Sequence, residues 1–81
     1  MQVCTLFFAT YRDALGTGTL DVDLPEGATV GELVRRLRSR GTPFDRLPEV
    51  PAVAINRSMV RGDAPLAHGD EIAFLPPVAG G

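Results

Sequence analysis

One apolar stripe constrains this chain more than any other feature. Val30, Leu33, Val34 and Leu37 recur at i, i+3, i+4 and i+7, a spacing that gathers four side chains on one face of a helix. Thr29 stands just ahead of them and Glu32 three residues further on, a pairing in which each side chain can satisfy the other's free amide. Arg35, Arg36, Arg38 and Arg40 take the other faces, late in the helix, where its dipole favours cations and the pattern predicts a solvated surface. Gly41 ends the helix and Pro43 prevents its resumption. A helix of this kind must lay its stripe on something, and the rest of the chain reads as strands.

Residues 2–9 are rich in β-branched and aromatic side chains and predict a strand. With period two, Val3, Thr5 and Phe7 share one face, and Cys4, Leu6 and Phe8 share the other. Bulk on both faces is unusual for a strand with one wet side. Tyr11, Ala14 and Leu15 suggest a helical turn over 10–15, and Gly16-Thr17-Gly18 reverses the chain. Residues 19–24 then alternate, with Leu20, Val22 and Leu24 inward and Asp21 and Asp23 in water. Pro25-Glu26-Gly27 turns into the helix.

Beyond the helix, residues 42–51 hold Pro43, Pro48 and Pro51 and read as a connecting loop. Residues 52–55 form a short buried strand. A turn at Asn56-Arg57 or Arg57-Ser58 leads into Met59-Val60. His68-Gly69-Asp70 turns tightly into a last strand over 71–75, with Ile72 and Phe74 on one face and Ala73 and Leu75 on the other.

The first and last strands therefore both carry two-sided apolar patterns and belong in the middle of the sheet. If both are central they pair in parallel, and the helix supplies the crossover such a pairing needs. The expected fold is α+β, the ubiquitin-like β-grasp: a mixed sheet of about five strands with one main helix packed across it. Residues 1–75 form this domain and residues 76–81 an extended tail. No internal repeat or low-complexity segment is present.

At 81 residues such a chain buries only roughly 60–65% of the surface it exposes when unfolded, which argues against a deep pocket. A net charge of −2 with mixed signs points to neither nucleic acid nor membrane. All eight cations are arginine, so no side chain can receive an isopeptide. A single cysteine, Cys4, and a single histidine, His68, exclude an intramolecular disulfide and give no metal-site spacing. The alternating N-terminus is unlike a signal peptide, and no stretch is long enough to span a bilayer. A cytoplasmic protein is expected.

The last residues are more particular. After the apolar strand come Pro76-Pro77-Val78-Ala79-Gly80-Gly81. Two prolines favour a stiff, extended exit, and Ala-Gly-Gly has almost no side-chain cross-section. Six extended residues reach at most roughly 20–22 Å, enough to carry a carboxylate well into a partner. A channel too narrow for Cβ atoms would select such an ending.

Three segments carry a resemblance to a known family. Leu66 to Gly81, with Gly69-Asp70-Glu71 and the Pro-Pro-Val-Ala-Gly-Gly ending, closely resembles the end of the MoaD-like small subunits of molybdopterin synthase. Thr5 to Ala9 with Arg12 and Leu15-Gly16, and Val53 to Val60 with Asn56 before the turn, look like theirs too. The likeness covers essentially the whole chain apart from the proline-rich loop. It implies that Gly81 is adenylated by a MoeB-like, ATP-dependent partner, converted to a thiocarboxylate, and inserted into a MoaE-like large subunit. There its sulfur would pass to cyclic pyranopterin monophosphate. It further implies that Gly80, Ala79, Val78, Pro77 and Pro76 give the tail access, and that the catalytic side chains lie on the large subunit, in a heterotetramer. The chain itself would bind no cofactor; ATP would be used by the activating enzyme.

The outward residues Leu6, Phe8, Met59 and Leu75 are expected to gather into an apolar patch beside the tail exit, the kind of patch that marks a binding surface. In the resembled family that region docks the large subunit. Cys4 reads as a sheet residue without chemistry, since nothing nearby in sequence would lower its pKa, and His68 as a surface turn residue. Three other readings compete: a sulfur carrier for thiamine, tRNA thiolation or cysteine synthesis, a protein-conjugating ubiquitin-like modifier, and a binding module whose tail is inert.

Overall fold

The computed structural model describes residues 1–76; Pro77, Val78, Ala79, Gly80 and Gly81 lie outside the described residues. Five strands form a single sheet: β1 (Gln2–Phe7), β2 (Thr19–Asp23), β3 (Ala52–Ile55), β4 (Ser58–Val60) and β5 (Glu71–Leu75). Their order is β2-β1-β5-β3-β4. The two strands with apolar residues on both faces, β1 and β5, are central and run parallel, from Cys4 opposite Glu71 to Phe7 opposite Phe74. All other pairings are antiparallel.

Helix α2 (Val30–Arg38) lies on one side of this sheet. Val30, Leu33, Val34 and Leu37 are all buried, as their spacing requires, and join Val3, Phe7, Val22, Val53, Ile72 and Phe74 in the core. Removing these side chains from water supplies the main driving force for the fold. The Thr29 hydroxyl accepts the Glu32 amide at 3.4 Å and caps the helix. The reciprocal bond from the Glu32 side chain does not form among the described residues. Instead Thr29 sits in a short antiparallel bridge to Pro65, flanked by the Val30 N–H donating to Ala64 at 3.1 Å and the Leu66 N–H donating to Ala28 at 2.9 Å.

Three sequence expectations need correction. The first strand ends at Phe7, not at residue 9: Phe8 keeps an extended backbone but caps a full helix α1, Ala9–Leu15, where only a turn was expected. The proline-rich segment 42–51 is not merely a connection, because it contains a 3-10 turn at Phe44–Arg46 and sends Leu47 into the core at 2% exposure. Finally, Arg38 is half-buried rather than solvated. The 3-10 segment packs against α2, and Glu49, further along the same proline-rich segment, brings its carboxylate to 3.4 Å from the Arg38 guanidinium.

The turn between β3 and β4 falls at Asn56-Arg57, both with positive φ (49° and 74°), the backbone of the tight turns that match strand twist. No helix of the described residues is long and apolar enough to cross a membrane.

Candidate docking face and tail exit

The helices cover one face of the sheet and leave the other open. Directly paired residues project to the same side, so the register defines the open face row by row. Leu6 lies opposite Ala73, Ala73 opposite Ala54, and Ala54 opposite Met59. One continuous apolar row therefore crosses four strands, with small side chains at its centre and larger ones at each end. Leu75, opposite Ala52, begins the next row. Phe8 follows one residue past the last β1–β5 pair, which brings it beside Leu75 at the ends of the two central strands.

Leu6, Phe8 and Leu75 thus gather at the ends of the two central strands. Met59 shares their face but stands at its far edge, on β4 and three strand spacings from Leu6, not beside the tail exit as expected. Met59 is 63% exposed and Phe8 45%, while Leu6 and Leu75 are half-buried. The bulk on the second face of β1 has no cover within the described residues. Sequence reasoning named the rim of this face and set Ala73 beside Leu75 on it, but missed Ala54 at its flat centre. It also missed Val50, 85% exposed. Val50 and Leu75 line a shallow hollow of about 250 Å³ with Tyr11, Pro48, Pro51 and Ala52. A valine among prolines carries no periodic signal.

The other end of the open face is polar. Cys4 lies between Asp21 and Glu71 in register. Burial pushes its thiol up from the ordinary value, and the two carboxylates push it further the same way. That is the reverse of what a nucleophilic cysteine needs, and it agrees with the reading of Cys4 as a sheet residue. Below it Thr5 is fully buried, with its hydroxyl donating to the Leu20 carbonyl at 2.6 Å. His68 Nδ1 accepts the Gln2 amide at 3.0 Å; its role is to tie a turn to β1.

The tail leaves from the centre of this arrangement. Pro76, half-buried, is the last described residue and continues directly from β5. The exit is fixed from both sides, by β1 and by β3, and it opens at the apolar end of the open face. The remaining predicted tail residues, Pro77 to Gly81, lie outside the described residues.

A five-stranded mixed sheet crossed by one main helix, with a central strand as the last element described, defines a ubiquitin-like β-grasp domain. The chain belongs to the ThiS family, whose model matches residues 5–81 and so includes Gly80 and Gly81. It is 38% identical to the molybdopterin synthase sulfur carrier subunit of Escherichia coli, over 99% of this chain and 100% of that protein. Among solved structures it resembles a chain of the protein–protein complex of subunits 1 and 2 of molybdopterin-converting factor from Helicobacter pylori. The TM-score is 0.71 at 27% identity, with full coverage of both chains. It also resembles small archaeal modifier protein 1 of Haloferax volcanii, with a TM-score of 0.73 at 29% identity, over 95% of this chain and 98% of that one.

Proposed function

We propose that this chain is the sulfur-carrier subunit of a molybdopterin synthase, with the carboxyl group of Gly81 as its working group. The observation that carries the reading is the placement of β5: a central strand delivers the tail at the apolar end of an uncovered sheet face. A partner that docks on Leu6, Phe8, Met59 and Leu75 then receives the tail at a fixed entry point. Family membership through residue 81 and likeness to the two-subunit converting factor support the same assignment.

The division of labour follows from the chemistry. A carboxylate is a poor electrophile, and adenylation by an ATP-dependent partner gives it a good leaving group. A sulfur nucleophile then displaces AMP and leaves a thiocarboxylate on Gly81. The docked large subunit supplies the catalytic side chains that pass this sulfur to cyclic pyranopterin monophosphate. Gly80 and Ala79 keep the tail thin enough to enter. Pro76 and Pro77 restrict it beforehand, lowering the ordering cost by roughly 0.4–1 kcal/mol each. The domain's own part is to hold, aim and dock.

Intact mass spectrometry tests this directly. After incubation with an activating enzyme, ATP and a sulfur source, the chain should gain the mass difference between sulfur and oxygen, localised to Gly81. Deleting Gly81 should abolish sulfur transfer with the melting temperature unchanged. Transfer by the truncated chain, or attachment of the intact chain to lysines of other proteins in place of sulfur loading, would overturn the assignment.

A further inference from the structure

Helix α2 and the segment leading into β3 line a second, half-open cavity of about 470 Å³, which shares Val50 and Pro51 with the hollow beside Leu75. That volume lies within the usual range of small-ligand sites, roughly 300–1,000 Å³. Its walls are of two kinds. Val34, Val50 and Pro51 are apolar, while Arg35 and Arg38 bring two guanidinium groups and Glu49 one carboxylate.

Arg38 is the informative residue. Its Nη1 lies 3.4 Å from Glu49 Oε1, and the Glu49 side chain is 80% exposed. Its Nε is buried without a hydrogen-bond partner, the one such side-chain atom among the described residues. A buried donor left unmade is costly, and a guanidinium edge offers Nε and Nη together to the two oxygens of one carboxylate. Glu49 pairs with Nη1, which lies off the Nε edge, and an exposed ion pair is weak enough to be displaced. Gly31 contributes by having no side chain: a Cβ there would stand 3.3 Å from the Gly62 carbonyl and 3.5 Å from Arg35 Nη1. With Glu49 in place the three charged groups sum to one positive charge, which matches a monoanion, and the valine and proline walls suit an aliphatic body.

We propose that this cavity binds a carboxylate carried on a short aliphatic body, with Arg35 and Arg38 holding the carboxylate and Val34, Val50 and Pro51 packing on the rest. The carboxylate comes either from a free small acid or from an acidic side chain in a partner's peptide. In both cases the carboxylate end, at Arg35 and Arg38, stands apart from the open-face rows, while Val50 and Pro51 are shared with the hollow beside Leu75.

The full chain, isotope-labelled for NMR, is titrated with butyrate and separately with acetyl-Leu-Glu-Leu-amide, at ionic strength matched with sodium chloride. The expected result is saturable shifts at the amides of Gly31, Val50 and Gly62. Saturation by butyrate identifies the free acid as source; saturation by the peptide alone identifies a partner segment. Arg35→Gln should weaken binding by about tenfold, the loss of one charge-assisted contact, and Glu49→Gln should strengthen it. Arg38→Gln should abolish it; if that variant does not fold, the exposed Arg35 still decides. Shifts that stay linear in concentration for both probes, or that are untouched by Arg35→Gln, would overturn the proposal.

Discussion

The Asn56 side-chain amide donates to Asp70 Oδ1 at 3.0 Å, joining the β3–β4 turn to the turn that starts β5. The same side chain accepts the Glu71 N–H through Oδ1 at 3.0 Å, and the Asn56 backbone N–H donates to the Glu71 carbonyl at 2.8 Å. Asp70 in turn accepts the Ala67 N–H at 2.8 Å. One asparagine therefore sets where β5 begins against β3, and so where its other end delivers the tail. Asparagine suits the place because it tolerates φ of 49° while carrying both a donor and an acceptor.

Replacing Asn56 should show both parts of this role. Asn56→Ala loses two side-chain bonds, each worth about 0.5–1.5 kcal/mol, and places a Cβ residue without compensation at positive φ. A loss of about 1–3 kcal/mol is expected in urea unfolding. Asn56→Gly keeps the backbone freedom and should lose less. Equal losses would show that the bonds alone matter.

The open face should separate binding from stability. Phe8→Asp and Met59→Asp change exposed side chains, so melting temperatures should hold, while affinity for the large subunit falls by about 2 kcal/mol or more if these residues are anchors. Phe74→Ala, at 0% exposure, is the opposite control and should cost about 3–5 kcal/mol of stability. Calorimetric binding and thermal melts of the same samples check both. A collapse of the Phe8 variant would place that ring in the core.

Cys4 should react slowly. Burial and the flanking Asp21 and Glu71 raise its pKa, so at pH 8 less of it is thiolate than in a free cysteine peptide. Alkylation by iodoacetamide should lag behind such a peptide and accelerate only at higher pH. The folded pKa exceeds the unfolded one, so the associated stability is present below the unfolded value and is lost as pH rises through the folded value. Asp21→Asn should raise the alkylation rate.

The helix cap can be tested alone. Thr29→Ala removes the acceptor for the Glu32 amide and should cost about 1 kcal/mol, whereas Thr29→Ser should restore most of it. Hydrogen exchange at Gly31 and Glu32 reports the loss locally.

Much of this architecture was legible in the residues because each of its signals is repetitive. The α2 stripe has four members in period, and the two-sided patterns of β1 and β5 already place them centrally and in parallel. What escaped notice has no period. Phe8 is as apolar as the strand it follows, so only the backbone reveals where the strand stops. Leu47 is one apolar residue among prolines, and Arg38 is one arginine among several whose partial burial depends on how segment 42–51 folds back. The site divides in the same way: Leu6, Phe8, Met59 and Leu75 follow from alternation, whereas Ala54 and Val50 needed the register and the loop.

The central position of β5 also has a mechanical consequence. Any pull on the outgoing chain is directed along a strand bonded on both flanks, to β1 and to β3. Its rungs are then loaded in shear, all at once, and cannot be unzipped one after another. The sheet thus works as an anchor: a partner can draw on the strap firmly without peeling the domain apart.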